Sequence, residues 1–249
     1  MTPRTANNGF TVIELLITGS ILVVVLGIVS AFFVQQMQLN RTTQARNEVQ
    51  DKVRQVAEVV AQDLHMAGAS RYVDEDGDSS AGVILASCNF DEVKCLYGQD
   101  DGLLDIIEVA YVTSLRDAGL SCRNVRYEVI DGVLHRSDRE CSPGNPTPDD
   151  REHDFQPFAD NILAFDIQYV CSNEARVDDY PDADDCPKGT KEMYPRTAVF
   201  TVVGESNMRA PVSGGEEYET ASGEIVTCGT ERVCYAQSRE VLMPNLKDQ

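Results

Sequence analysis

Residues 10–34 form one almost unbroken apolar run, FTVIELLITGSILVVVLGIVSAFFV, in which Glu14 is the one charged side chain. At about 1.5 Å per residue, a helix of this length crosses a hydrocarbon core of about 30 Å. The run contains no proline, so a single helix satisfies every backbone group inside a bilayer. A secretory signal peptide has a shorter apolar region of about 7–15 residues, followed by a small-residue cleavage site. The pattern therefore predicts a retained transmembrane helix.

The helical pattern continues beyond the membrane segment, over residues 35–68. No glycine or proline occurs between residue 35 and Ala67, and Gly68 supplies a stop signal. Apolar residues recur at steps of three and four, which places them on one face of a helix: Val49, Val53, Val56, Val60, Leu64 and Ala67. We expect one helix from about Phe10 to Ala67, on the order of 85 Å long, whose second half packs against a globular domain.

The pattern changes to short β segments from Tyr72 onward. Alternating or β-rich runs separated by turns predict strands at Val83–Ala86, Ile106–Val112, Val125–Ile130, Val133–Arg136, Ile162–Val170 and Ala198–Val203. Asp131-Gly132 suits a type I′ hairpin turn between two of them. The expected fold class is α+β, with residues 69–249 forming an antiparallel β-sheet domain packed on the outer half of the long helix. The final stretch, 205–249, is expected to add a loop or hairpin at the surface.

The charge balance is strongly acidic, with 41 Asp and Glu against 21 Lys and Arg and a formal net charge of -20. Such a chain repels nucleic acid phosphates and anionic lipid headgroups. Direct binding to nucleic acid is therefore not expected, and most of the carboxylates are interpreted as a solvated surface.

The eight cysteines all follow residue 80, and their number is even. This distribution is typical of disulfides in an oxidising compartment, which places the C-terminal part outside the cytoplasm. Their spacing suggests four local pairs: Cys88 with Cys95, Cys122 with Cys141, Cys171 with Cys186, and Cys228 with Cys234. A zinc site is the weaker alternative, because the chain has no CxxC motif and its three histidines are scattered.

Glu14 is the unusual residue of the apolar run. A carboxylate inside a bilayer costs about 2.5–3.5 kcal/mol on insertion scales. Two explanations remain open at this point: Glu14 lies at the membrane edge, only four residues into the run, or it pairs with a positive charge of a partner.

The segment from Asn8 to Leu16, NGFTVIELL, resembles the cleavage and methylation motif of type IV prepilins. The resemblance implies a leader of residues 1–9, cleavage after Gly9 by the prepilin peptidase, and N-methylation of Phe10. It also implies that Glu14 neutralises the amino terminus of a neighbouring subunit. One position departs from the pattern, since Ala31 stands where many major pilins carry proline.

Two further segments resemble PilW-type minor pilins, which are related to the J-type pseudopilins of type II secretion. QDLHMAG at residues 62–68 resembles the end of the helix in that family, and residues 158–169 followed by a strand near Arg196 keep its order of elements. The resemblance implies a type IV pilin fold and a role in priming pilus assembly, with other minor pilins, the major pilin and often a tip adhesin as partners.

The same resemblance implies a location for the chain. A minor pilin stands in the bacterial inner membrane as a single-pass precursor with a periplasmic domain, and then in the pilus at the cell surface. A J-type pseudopilin and a membrane-anchored adhesin or binding module are the alternatives.

Metal and enzyme sites are weakly supported. Asp74, Asp76 and Asp78 have the spacing of calcium ligands, but Ser79 and Leu85 stand where an EF-hand needs Gly and Glu. A looser calcium loop at these three residues stays open, as does the acidic stretch between Cys171 and Cys186. The chain has no GxSxG, HExxH, P-loop or Rossmann motif, so neither an enzyme nor an organic cofactor is expected.

Overall fold

The computed structural model describes residues 11–69, 95–112, 122–140, 154–180, 186, 194–212 and 214–246. Within this part of the chain, one long helix precedes eleven strands and a short 3₁₀ helix, Pro244–Leu246. Of the expected strands, Val83–Ala86 lies outside the described residues.

Helix α1 runs without interruption over 55 residues, from Val12 to Met66. Gly68 follows with a positive φ of 76°, a conformation that glycine adopts without steric cost, and its N–H donates to the Ala110 carbonyl oxygen at 2.9 Å. The predicted stripe from Val49 to Ala67 is buried, with each of its six members at most 1% exposed. The predicted helix and its packing face are both confirmed over the described residues.

The amino-terminal half of α1 projects away from the globular part. Among the described residues, Ala45 is the first one that is buried. The large apolar side chains between Val12 and Val34 are 42% to 79% exposed. By length and composition the helix is able to cross a membrane, with a mean hydropathy of 2.7 over its most apolar 18 residues.

The strands form two larger antiparallel sheets and a separate hairpin. A five-stranded sheet has the order β1-β2-β3-β4-β5, a four-stranded sheet has the order β11-β8-β6-β7, and β9 pairs with β10. The strand bounds are β1 Leu96–Gln99, β2 Ile106–Val112, β3 Cys122–Ile130, β4 Val133–Glu140, β5 Gln156–Ala159, β6 Ile162–Cys171, β7 Arg176–Val177, β8 Pro195–Glu205, β9 Glu217–Glu219, β10 Ile225–Thr227 and β11 Cys234–Leu242.

The predicted strands in the described part are present, and four of them are longer than expected. The turn between β3 and β4 has positive φ at Asp131 (52°) and Gly132 (76°), as a type I′ turn requires. The expectation for the final stretch was incomplete: it holds the β9–β10 hairpin, but also β11, which belongs to the four-stranded sheet. The sequence pattern does not predict β11, because polar residues occupy both faces of this strand and the alternation of apolar and polar residues is lost.

One continuous core joins α1 to both larger sheets. The cluster combines the helix stripe with Val125 and Tyr127 of the five-stranded sheet and Phe165 and Phe200 of the four-stranded sheet. The helix passes so close to β8 that a Cβ atom on Gly204 would lie 2.9 Å from Val53 Cγ2. Glycine at this position therefore sets how closely helix and sheet approach.

A buried polar network fixes the end of the helix on the five-stranded sheet. The Asp63 carboxylate is 5% exposed and accepts hydrogen bonds from Tyr111 Oη at 2.7 Å, from Arg136 Nη2 at 3.1 Å and from Tyr127 Oη. Arg136 Nε also donates to Tyr127 Oη at 3.0 Å. Burial, and next the Asp63 charge, raise the pKa of both tyrosines. The buried charge is thus paired and hydrogen-bonded, as such charges must be.

Two of the four suggested disulfides lie among the described residues. Cys171 is bonded to Cys186 and Cys228 to Cys234. Cys95 is also disulfide-bonded, while Cys88, Cys141 and the Cys122 side chain fall outside the described part. The first bond closes the loop after β6, and the second closes the turn that leads into β11.

Asp105 joins the two larger sheets and is fully buried. Its Oδ1 accepts from the Asp101 N–H at 3.1 Å and its Oδ2 from the Ile167 N–H at 2.7 Å. Burial raises the pKa of this carboxyl to about 8, although both backbone hydrogen bonds act to lower it. The folded chain therefore keeps a proton that the unfolded chain releases above about pH 4.

This proton makes stability depend on pH. Because the folded state binds more protons, the contribution of Asp105 to the unfolding free energy falls as pH rises from about 4 to 8. We expect Asp105→Asn to flatten that slope. It should lower stability at pH 5, since the amide nitrogen cannot accept the N–H that the second carboxyl oxygen accepts, and this deficit should shrink or reverse toward pH 8, where the wild-type protein has to bury a charge. Urea unfolding at pH 5, 6.5 and 8, on a soluble form starting at residue 36, measures both effects. The exposed neighbour provides the control Asp101→Asn, and an unchanged slope in Asp105→Asn would contradict the assignment.

Candidate functional site: the helix amino terminus and its exposed apolar surface

The first turn of α1 is held by a capping box. Thr11 is the N-cap residue, and its Oγ1 accepts a hydrogen bond from the Glu14 N–H at 3.3 Å. The Glu14 Oε2 in turn accepts from the Thr11 N–H at 3.5 Å. The signal T-x-x-E was present in the sequence, and it is the feature of this site that sequence reasoning missed.

In the capping box Glu14 accepts a hydrogen bond within its own chain, and its carboxylate can still accept others. A carboxylate in the first turn is favoured by the positive end of the helix dipole. The bonds from Oε2 to Thr11 are 3.5 Å long, at the weak limit for hydrogen bonds. Glu14 is exposed, and a carboxylate has about four acceptor positions. The group therefore retains most of its capacity for a second donor or a cation.

The apolar surface that follows Glu14 is continuous around the helix. Exposure stays high on every side, for example 67% at Leu15, 58% at Leu22 and 62% at Phe33. A Cβ atom on Gly19 or Gly27 would meet no neighbouring side chain within 4 Å, so the helix backbone is bare at these two points. A surface of this size is stable only against lipid or against other apolar helices.

Several predicted residues lie outside the described part of the chain. These are Gly9 and Phe10 at the expected cleavage site, and the calcium candidates Asp74, Asp76 and Asp78. In the second acidic stretch, two described carboxylates have partners within the chain: Asp178 accepts from Gln168 and Asp179 from the Asp100 N–H. The described residues contain no group of three or more His, Cys, Asp or Glu that suits a metal ion.

One known protein is similar to this chain in sequence over almost its whole length. The chain is 40% identical over 245 residues to the pilin-like protein PilA3 of Thermus thermophilus, a match covering 96% of this chain and 97% of that protein. No family model matches the sequence. Among solved structures, a type IV-like pilin from Thermus thermophilus aligns with a TM-score of 0.47 and 14% identity, over 79% of this chain and 97% of that one. At that distance the structural likeness carries no argument about function.

Proposed function

This chain belongs to the type IV pilin-like proteins, and we propose that it acts as a minor pilin that primes pilus assembly and joins a tip-associated complex. The observation that carries the proposal is the exposed apolar half of α1, which continues without a break into a helix half that packs against a folded domain. A chain of this form has its assembly surface and its displayed domain on one helix. We propose a structural role, with no catalytic step.

In this proposal, the apolar surface is covered twice during the life of the protein. Lipid covers it in the inner membrane, and the helices of the major pilin and other minor pilins cover it in the filament. Lipid and helix surfaces are equally apolar, so helix association depends on close packing and small residues. Gly19, Ser20, Gly27, Ser30 and Ala31 supply such residues along the segment.

Glu14 supplies the directional interaction between subunits. We propose that its carboxylate binds the methylated amino group of Phe10 in a neighbouring subunit after the prepilin peptidase has cut behind Gly9. The long local bonds of Glu14 to Thr11 support this assignment, because a free ammonium group is a stronger, charge-assisted donor. Inside an apolar bundle, an unpaired carboxylate is costly and a paired one is tolerated.

The orientation proposed for the chain rests on its disulfides. The Cys171–Cys186 and Cys228–Cys234 bonds form and persist in oxidising compartments such as the bacterial periplasm. The globular domain is therefore assigned to the periplasmic side before assembly and to the pilus surface afterwards. A tip adhesin is a proposed partner, and nucleic acid is not, because of the net charge of -20.

Substituting the residue before the cut tests the processing step. We expect Gly9→Leu to leave an uncleaved precursor in the membrane, because a bulky side chain replaces the residue that the peptidase accepts. Mass spectrometry of the membrane fraction measures the leader, and Asn8→Ala is the matched control. Normal removal of residues 1–9 in Gly9→Leu would refute the proposed site.

Two variants separate the charge of Glu14 from its capping role. Glu14→Gln keeps an acceptor for the Thr11 N–H but removes the charge, whereas Thr11→Ala removes the side-chain cap and keeps the charge. We expect Glu14→Gln to reduce the amount of protein in sheared filaments at least about ten-fold, in line with the loss of one buried ion pair. Thr11→Ala should cost only about 1 kcal/mol of helix stability and assemble nearly normally. Membrane insertion should be unchanged in both, and the reverse ranking would favour a capping role alone.

Deleting the gene tests the minor-pilin role as a whole. We expect surface pili to be lost and to return on complementation, as counted by electron microscopy in both strains. Normal piliation combined with a defect in protein export would instead identify a J-type pseudopilin.

A further inference from the structure

Strand β11 forms one edge of the four-stranded sheet, and its register shows which backbone groups face outward. Met243 N–H donates to Arg196 O at 2.9 Å and Ser206 N–H donates to Val233 O at 2.8 Å. These two bonds lie just beyond the two ends of the β11–β8 ladder and continue its register. Along an antiparallel pair, every second residue is hydrogen-bonded to its partner. The odd-numbered residues of β11 therefore bond to β8, and the even-numbered residues direct N–H and C=O away from the sheet.

The two ends of this outer edge are occupied, and its middle has no partner in the described part of the chain. Tyr218 Oη donates to the Cys234 carbonyl oxygen at 3.3 Å, and His65 Nδ1 lies 3.0 Å from the Leu242 carbonyl oxygen. Among the described residues, no group bonds to the backbone of Ala236, Ser238 or Glu240. Ser238 and Glu240 are exposed, so their donors and acceptors are open to another chain.

The other edges of the two larger sheets are protected in the described part of the chain. β5 carries Pro157, which lacks an N–H group. β1 is bonded through Gly98 to Tyr180 in both directions. β7 contains only two residues. Proteins usually block long free edges in such ways, and the nine-residue β11 contains neither proline nor lysine.

A groove of about 470 Å³ runs beside this edge, between α1 and β11. Glu58 of α1 lines it, and Arg239 neutralises that carboxylate, since its Nη1 lies 2.7 Å from Glu58 Oε2. Glu240 borders the groove on β11, next to Arg239 but on the opposite face of the strand. Ala61 and the 57% exposed Leu242 supply apolar surface. The groove is therefore partly apolar, and the exposed Glu240 stands at the strand edge in a chain whose net charge is -20.

We propose that the free edge of β11 is a strand-addition site that binds an extended, positively charged segment of another protein. Donors and acceptors that alternate along an edge are complementary only to an extended backbone. The Glu240 side chain at the edge and the acidic chain favour Lys or Arg on the incoming strand. This inference does not depend on the pilus role, since it concerns the folded domain and not the apolar helix.

A proline substitution tests the site, because the register makes it selective. Ser238 directs its N–H outward, so Ser238→Pro removes the free donor and no bond to β8. Ser238→Ala is the matched control: both variants lose the 2.8 Å contact between Ser238 Oγ and Thr201 Oγ1, but only the alanine variant keeps the N–H. Glu240→Pro and Glu240→Ala form a second pair in case Ser238→Pro does not fold.

The probe is the synthetic peptide Ac-TKVKVKT-NH2, titrated into the full-length protein in detergent micelles by isothermal calorimetry. A second peptide carries N-methyl groups on alternate amides, which preserves the charge and removes the strand-forming donors. We expect binding to the native protein and to Ser238→Ala, and about ten-fold or greater weakening with Ser238→Pro or with the methylated peptide. Amide exchange should show new protection at Ser238 and Glu240.

Three results would overturn the proposal. The first is the absence of binding at millimolar peptide. The second is equal binding by the proline and alanine variants, which means simple charge attraction. The third is a dimer of the protein that Ser238→Pro abolishes, which would make a second copy the occupant. Failure of the gene deletion to affect pili would leave this test unaffected.

Discussion

The globular part is organised around one face of α1, because both larger sheets bury their apolar side chains against it. The stripe from Val49 to Leu64 lies between them and is at most 1% exposed, and Asp63 on the same half of the helix binds Tyr111 and Tyr127 of the five-stranded sheet. Apolar contact is non-directional, whereas the buried carboxylate requires specific donors in specific places. The stripe thus supplies the burial, and Asp63 fixes the rotation and depth of the helix.

The two halves of α1 differ in how apolar side chains are distributed around the helix. Up to Val34 it is apolar on all sides, and from Ala45 it is apolar on one side only. The helix is continuous through both halves, so one unbroken element joins the apolar segment to the folded domain.

The C-terminal stretch completes the domain and also creates its most open edge. β11 returns to the helix, where Arg239 pairs with Glu58 and Arg54 lies over the ring of Tyr235 at 6.0 Å. These contacts use the face of β11 that points toward α1. Its outer edge has backbone groups between Ala236 and Glu240 that no described residue pairs with. The last strand therefore completes the domain and also offers a candidate binding surface.

Local sequence patterns predicted α1, its buried stripe, the turn at Asp131-Gly132 and the core strands. Each of these features depends on periodicity or turn chemistry within a few residues. The prepilin-like motif similarly placed Glu14 at the start of the apolar run. Only the tertiary structure showed that Asp63 and Asp105 are buried between elements, that the strands divide into two sheets, and that β11 is an edge strand. Those features depend on contacts between residues far apart in the chain, such as Asp63 with Arg136 and Asp105 with Ile167, for which a single sequence carries no local signal.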